Sequence, residues 1–215
     1  MFNLRCLLQL IVSTVLTLSS SSSNAQAYEQ FLTAVERGDV KVVAELLDKG
    51  LDPNTADPKG NTALMMAARH GHESLVALLL ERKANVRART PHGDTALMMA
   101  SLGGHIGIAK MLVEKGAQVR ERGWTPVHYA AFMGHADMIR FLLDRGADKE
   151  AVAPNGYTPL MLAARGGHLE AARVLLQEDA DFRHKGPQGE TALAIARARN
   201  DKPLEELLRR AGAVE

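Results

Sequence analysis

Apolar residues recur along this chain in short stripes at helical spacing. Residues 62–67 read Thr-Ala-Leu-Met-Met-Ala, and a second stripe follows at Leu75, Val76, Leu79 and Leu80. Apolar residues three and four positions apart share one face of a helix, so each such pair of stripes predicts two short helices. The first stripe occurs five times, and its copies open at Thr62, Thr95, Thr125, Thr158 and Thr191.

The interval between successive copies is nearly constant, at 33, 30, 33 and 33 residues. A fixed period of this length indicates stacked repeats, in which each unit covers the apolar face of its neighbour. A Gly-His pair follows the first stripe at the same step, at Gly71-His72, Gly104-His105, Gly134-His135 and Gly167-His168.

Local signals predict where the helices begin and end. Thr62 is a predicted N-cap, because its hydroxyl can accept a hydrogen bond from a free backbone N–H of the first turn. Pro126 and Pro159 occupy the first helical position, where a missing N–H costs nothing. Gly71 is predicted to end the first helix of its unit.

These strings resemble the ankyrin repeat, whose units begin Thr-Pro-Leu-His-x-Ala-Ala, turn at Gly-His and close on Gly-Ala-Asp. Residues 125–130 read Thr-Pro-Val-His-Tyr-Ala, and residues 146–148 read Gly-Ala-Asp. The resemblance covers nearly all of residues 28–215 and implies an all-α solenoid of stacked helix-turn-helix units with short β-hairpin fingers. The implied units are 28–57, which is degenerate, 58–90, 91–120, 121–153, 154–186 and 187–215.

Three departures from the family pattern lead to specific expectations. The stretch between Gly116 and Thr125 is three residues short, which predicts a stunted finger. Lys83 and Asp179 replace the usual helix-ending glycine, so we expect less regular turns there. The family's histidine occurs at His128, and the methionines that replace it in other units are interpreted as core residues, at Met65, Met98 and Met161.

The first 27 residues have the organisation of a secretory signal peptide. One positive charge, Arg5, precedes an apolar run over residues 7–18, and a polar spacer leads to Ala25-Gln26-Ala27. Small residues at these positions are accepted by signal peptidase, so cleavage is predicted after Ala27, with Ala25 as the alternative. The run of about twelve residues is shorter than the roughly 20 that span a bilayer. A periplasmic location is therefore expected, and an extracellular one is the alternative.

Composition and charge narrow the functional classes. Arg5 is the one charged residue of the predicted signal, so the rest of the chain carries 25 basic and 25 acidic residues. This balance gives no general attraction to nucleic acid or to an anionic membrane. The single cysteine, Cys6, lies in the predicted signal, so the mature chain has no thiol for a disulfide, a nucleophile or a metal.

No sequence motif for catalysis or for cofactor binding is found. The chain contains no Gly-x-Ser-x-Gly elbow, His-Glu-x-x-His, phosphate loop or dinucleotide fingerprint. His72, His105, His135 and His168 recur with the repeat and are interpreted as structural. His70 and His72 lack a third ligand at a defined spacing, which a zinc site requires. We therefore predict a non-enzymatic chain without cofactor or metal, with an enzyme or metal-binding protein as the remote alternative.

Two clusters are candidates for a protein-binding site. In the family, exposed variable residues precede the threonine and follow the Ala-Ala pair, and an apolar cluster occupies these positions at Leu102, Trp124, Phe132, Met133 and Tyr157. Clustered exposed aromatic residues are typical of interface centres. A basic cluster includes Arg69, Arg87 and Arg89, and it could attract an acidic partner. The sequence leaves open which cluster forms the interface.

Together these features predict a monomeric protein that binds one protein partner through the concave face of the solenoid. It would serve as an accessory or scaffold to a periplasmic or envelope enzyme. The alternative is an immunity-type inhibitor of a toxic periplasmic effector, which rests on family analogy alone. The identity of the partner is not encoded in the repeat pattern.

Overall fold

A computed structural model describes residues 24–214 of the chain. Within this range it contains twelve helices and no β-strand, which confirms the predicted all-α solenoid. The helices are α1 (24–37), α2 (Val40–Asp48), α3 (Ala63–His70), α4 (Glu73–Glu81), α5 (Ala96–Gly103), α6 (Ile106–Glu114), α7 (Pro126–Met133), α8 (Ala136–Asp144), α9 (Pro159–Gly166), α10 (Leu169–Gln177), α11 (Ala192–Ala198) and α12 (Lys202–Arg210).

Most of the predicted signal peptide, residues 1–23, lies outside the described residues. Ala25 and Ala27, the two predicted cleavage positions, belong to the first turns of α1. The part of α1 that follows is integral to the solenoid, because Phe31 is fully buried and the Tyr28 hydroxyl donates a hydrogen bond to the Ala56 carbonyl at 2.8 Å. Among the described residues, no helix has the length and hydropathy needed to cross a bilayer.

The helices form two layers. The inner layer consists of α3, α5, α7, α9 and α11, each packed on the next, and the outer layer runs from α2 through α4, α6, α8 and α10 to α12. Neighbours in the inner layer pack on one another more extensively than neighbours in the outer layer do, and the difference is smallest between the pairs α9–α11 and α8–α10. The stack therefore curves toward the inner layer, whose free surface is the concave face.

Small residues permit the close approach of the inner helices. Each inner helix carries an alanine five residues after its N-cap threonine, and all five side chains are 0% exposed, at Ala67, Ala100, Ala130, Ala163 and Ala196. Interiors are packed as densely as organic crystals, so a larger side chain at these positions would force the helices apart. Leu64 and Ala68, in the same helix as Ala67, are buried as well.

The predicted helix ends are also confirmed. The Thr62 hydroxyl accepts a hydrogen bond from the Met65 N–H at 3.3 Å, and Thr95, Thr158 and Thr191 cap their helices in the same way. Gly71 ends α3 in the left-handed conformation, at φ 79°. Pro126 and Pro159 begin α7 and α9, as expected for residues without a backbone donor.

The repeated histidines join each unit to the one before it. The Nε2 atoms of His72, His105, His135 and His168 lie 3.0, 3.2, 3.1 and 2.9 Å from carbonyl oxygens at the ends of the preceding α1, α3, α5 and α7. Each bond occupies a carbonyl that the helix itself leaves free. The ring packs so tightly on the preceding turn that a Cβ at Gly104, whose φ is +72°, would lie 2.7 Å from His135 Nδ1. These contacts describe the structural role that the sequence predicts for the repeated histidines: each one bonds its unit to the unit before it.

The fingers depart from the expected β-hairpins. They are tight turns, and the described residues contain one isolated β-bridge, between Ala56 and Thr62. Four fingers close through a backbone hydrogen bond between residues four apart, as from the Asp57 N–H to the Asn61 carbonyl at 2.9 Å. No such bond closes residues 117–124, so the predicted stunted finger is confirmed. Five-residue loops are too short to leave paired strand residues on both sides.

The turns at Lys83 and Asp179 are regular, so the expectation of irregular turns is wrong. Lys83 and Asp179 adopt the left-handed conformation themselves, at φ 63° and 58°. The Lys83 N–H reaches the Leu80 carbonyl at 3.2 Å and the Ala84 N–H reaches the Leu79 carbonyl at 2.9 Å, the pattern that glycine makes in other units. The packing of the stack enforces this geometry on residues that disfavour it.

Replacing Lys83 by glycine should therefore raise the free energy of unfolding by about 1 kcal/mol, because glycine adopts a positive φ without steric strain. Urea denaturation followed by circular dichroism measures the change. Lys115→Gly is the control, because Lys115 ends α6 at φ −86° and gains nothing from glycine. Equal or lower stability of Lys83→Gly would show that the left-handed residue carries no strain.

Candidate functional site

The largest apolar exposure on the inner layer lies at the C-terminal end of α7. Phe132 is 48% exposed and Met133 is 43% exposed. Leu102 occupies the equivalent position of α5, seven residues after its N-cap threonine, and is half-buried. These three residues, here called the apolar strip, are the part of the predicted apolar cluster that the structure presents to a partner.

Trp124 and Tyr157 occupy a different environment, at the base of the fingers. Both are half-buried. The Trp124 ring meets the His128 ring edge-on at a centroid distance of 5.7 Å, and it lies 5.8 Å from the Tyr129 ring. Trp124 therefore packs at the base of the stunted finger. Its assignment to the binding site stays a prediction.

Tyr157 is held by one polar contact to the next unit and one to its own unit. Its hydroxyl donates a hydrogen bond to Glu190 Oε1 at 2.6 Å, and the Arg165 guanidinium lies 5.5 Å from its ring centroid. The hydrogen bond raises the pKa of the Tyr157 hydroxyl and lowers the pKa of the Glu190 carboxyl. Tyr157 thus links two units and orients Arg165 at the edge of the concave face.

Tyr129 belongs to the same region and was not among the predicted site residues. Its hydroxyl donates a hydrogen bond to Asp94 Oδ1 in the preceding unit at 2.5 Å. Burial and this bond to a carboxylate raise the pKa of the Tyr129 hydroxyl well above its ordinary value. The sequence contains a signal for this role, because Tyr129 brings a hydroxyl to a position that is apolar in other units. The equivalent residues are Met66, Met99 and Leu162.

His128 lies beneath this surface and is fully buried. Its Nδ1 accepts from the Thr125 N–H at 3.1 Å, and its Nε2 donates to the Ala151 carbonyl at 2.9 Å. This arrangement requires a neutral ring, since a protonated Nδ1 could not accept. Burial accordingly lowers the pKa of His128 below its ordinary value of 6.5. Met65 makes the same contact in its own unit, where Sδ lies 3.4 Å from the Thr62 nitrogen.

The predicted basic residues are separated by their contacts. Arg87 Nε donates to the Gly116 carbonyl at 3.1 Å, and Arg89 forms an ion pair with Glu121. Arg87 therefore connects its unit to the next one, and Arg89 connects two neighbouring fingers. Arg69 is exposed at the end of α3, in the same register as Leu102 and Phe132. Arg69 is thus the basic residue that the fold aligns with the apolar strip, although the role of all three remains a prediction.

The geometry offers no assembled centre for metal chemistry within residues 24–214. No three His, Cys, Asp or Glu side chains converge there closely enough to hold a metal ion. No buried polar side-chain atom lacks a hydrogen-bond partner in this part of the chain. The described site is thus a surface, with an exposed apolar centre and charged residues along its borders.

Comparison with known proteins identifies the family. The family described as "Ankyrin repeats (3 copies)" matches residues 12–90, 31–122, 89–153 and 147–214. The chain belongs to the ankyrin repeat family. Members of this family are generally protein–protein interaction modules, and the fold is typically a non-enzymatic scaffold.

The fold also matches solved structures. The crystal structure of the human ASB11 ankyrin repeat domain superposes with a TM-score of 0.80 at 26% sequence identity, covering 86% of this chain and 84% of that one. A search of curated proteins finds no match. Since 603 solved chains match the fold, the likeness defines the scaffold and leaves the choice of partner to the surface residues.

The buried His128 should make the stability of the fold depend on pH. In the unfolded chain a histidine titrates near 6.5, while in the fold the pKa of His128 is lower. Below pH 6.5 the unfolded chain therefore binds more protons than the folded one. His128 should then remove up to about 1.4 kcal/mol of stability per pH unit, until the folded pKa is passed.

His128→Met is the matched variant, because methionine fills this position in three other units. Urea unfolding at pH 7.5 and pH 5.5 should show a smaller loss of stability in this variant than in the wild-type chain. The same pH dependence in both proteins would mean that His128 is protonated as readily in the fold as in the unfolded chain.

Proposed function

We propose that this chain is a periplasmic protein-binding module whose concave face contacts one protein partner. It acts as an accessory or scaffold to a periplasmic or envelope enzyme. The observation that carries the proposal is the pair of adjacent exposed residues, Phe132 and Met133, on the inner layer. The ankyrin family uses its repeats for protein interaction, which is the general class of this function.

Exposure of these two residues favours a role in binding. Four large hydrophobic side chains are exposed among the described residues, and the other two, Val152 and Val214, lie in a finger and near the C-terminus. Phe132 and Met133 are adjacent and border the half-buried Leu102. Apolar side chains that form a patch on a concave surface are typical of interface centres, where aromatic residues contribute most of the affinity.

The periplasmic location is supported by the signal-like segment at the start of the sequence. Cleavage after Ala27 would remove one partly buried core contact, Ala27 itself, and would retain Tyr28 and the fully buried Phe31. The cleaved chain would contain no cysteine, which suits an oxidising compartment. Sequencing the N-terminus of the exported protein tests this part, with Tyr28 as the expected first residue.

A scaffold and an immunity-type inhibitor would use the same surface and differ in the partner. Deleting the protein distinguishes them. Loss of activity in a resident enzyme is expected of a scaffold, whereas toxicity from a neighbouring gene product is expected of an inhibitor. We propose that the chain is a monomer in either role and that it performs no catalysis.

Phe132→Asp should weaken partner binding at least tenfold and leave the fold intact. A charge replaces an exposed apolar contact, so the cost falls mainly on the complex. The measurement is affinity capture of the tagged, exported chain from native periplasmic extract, with quantitative mass spectrometry of the retained proteins. A stoichiometric partner retained by the wild-type chain should be lost from the variant.

Val152→Asp is the control, because Val152 is also 48% exposed but lies in a finger instead of on an inner helix. This variant should retain the partner. Circular dichroism melting of both variants checks the fold. Retention of the partner by Phe132→Asp would place the interface away from the apolar strip.

A further inference from the structure

The two layers of the solenoid differ in charge. Within the described helices, α3, α5, α7, α9 and α11 contain neither aspartate nor glutamate. Each outer helix contains at least one aspartate or glutamate, in α2, α4, α6, α8, α10 and α12. The near-neutral total charge therefore conceals a separation, in which the outer layer carries carboxylates and the inner helices carry only basic or uncharged side chains.

The basic residues of the inner helices lie on both sides of the apolar strip. Arg69, Leu102, Phe132 and Arg165 each stand seven residues after the N-cap threonine of successive inner helices. They form a row across the concave face, in the order arginine, leucine, phenylalanine, arginine. Packed helices are about 8–10 Å apart, so Arg165 lies roughly one helix spacing from Phe132, and Arg69 roughly two.

Neither arginine of this row forms an ion pair within residues 24–214. The Arg69 side chain is exposed and makes no hydrogen bond or ion pair there. Arg165 stacks on the Tyr157 ring, and its charge interacts with that of Glu190. The Glu190 carboxylate already accepts hydrogen bonds from the Tyr157 hydroxyl and the Gln188 N–H. By contrast, Arg82 and Arg89 pair with carboxylates of the chain. Arg69 and Arg165 thus remain available to carboxylates of a partner.

From this arrangement we infer that the concave face binds an acidic segment of a protein, in which a bulky apolar side chain lies between carboxylates. This inference rests on the proposed function and specifies the chemistry of the partner. The apolar side chain contacts Phe132 and Met133, and carboxylates on its two sides pair with Arg69 and Arg165. Arginine forms strong, bidentate hydrogen bonds with carboxylates, and two such pairs fix the direction of the bound segment.

The expected spacing follows from the row. The distance of roughly 8–10 Å from Phe132 to Arg165 corresponds to about three residues of an extended segment. It corresponds to about six residues of a helix, which rises 1.5 Å per residue. A nucleic acid fits the surface less well, because its phosphates follow one another along the whole strand. Some of them would face the carboxylates Asp94 and Glu190 at the finger bases, whereas a peptide can place its few carboxylates opposite the arginines alone.

Selection from a phage-displayed library of random 12-residue peptides tests the inference. The exported chain is the target, and synthetic versions of the selected peptides are then measured by fluorescence anisotropy. The selected peptides should share a bulky apolar residue near aspartate or glutamate. Their affinity should fall at least tenfold with Arg69→Glu, Arg165→Glu or Phe132→Asp, and it should fall with rising salt, since the charge pairs are solvent-accessible.

Lys110→Glu is the matched control, because it reverses an exposed charge on the outer helix α6. This variant should bind the peptides as the wild-type chain does. A peptide in which lysine replaces the acidic residues should regain affinity for the double variant Arg69→Glu, Arg165→Glu. This rescue separates a direct charge pair from damage to the fold.

The remaining outcomes overturn the inference in distinguishable ways. If the peptides lose affinity for the Phe132→Asp variant but not for either arginine variant, the concave interface is supported and the acidic nature of the partner is contradicted. Selection of peptides without acidic residues, or of none, would also contradict it, while native capture could still support the proposed function. Binding of a poly(dT) oligonucleotide that is lost in the arginine variants would replace a protein partner by nucleic acid.

Discussion

The structure depends on the close packing of the inner helices through buried alanines. Each inner helix has at least one fully buried alanine, such as Ala100 in α5, which allows neighbouring backbones to approach closely. The outer helices bury larger side chains, such as Leu75 and Leu79 in α4, and pack on one another less extensively. Curvature, the alignment of surface residues across units and the reach of each histidine to the preceding helix all follow from this difference. An added methyl group at these positions would cost about 1–3 kcal/mol and would also alter the curvature.

Much of the fold could be predicted because its signals are local. Threonine caps, Pro126, Pro159 and the turn glycines specify helix ends within a few residues of themselves, and the period specifies their stacking. The regular turn at Lys83 could not be predicted in this way. There the packed neighbours determine the backbone conformation against the preference of the residue. The β-strands expected in the fingers are absent from residues 24–214 for a different reason. Four of the fingers are five-residue loops that each close through a single backbone hydrogen bond.

The candidate site was predictable only in part. The register of the repeat placed Phe132 and Met133 on the exposed side of their helix, which the structure agrees with. It could not reveal that Arg89 pairs with Glu121, since this contact depends on the distance between neighbouring fingers. It also could not reveal that Trp124 packs on His128 of its own unit, since the repeat pattern does not specify the direction of the Trp124 ring. The charge separation between layers was present in the sequence. The assignment of each helix to the inner or the outer layer comes from the structure, and the separation of charge depends on that assignment.

The hydrogen bond from His168 to the Phe132 carbonyl has a consequence for the evolution of this protein. The backbone of residue 132 belongs to the scaffold, whereas its side chain points to the solvent. The same holds at the exposed Arg69, whose carbonyl is bound by His105. It holds in part at the half-buried Leu102, whose carbonyl is bound by His135. A mutation along this row can therefore change what is recognised without disturbing what holds the units together. Descendants of this chain could acquire new specificities by few steps, each of them compatible with an unchanged fold.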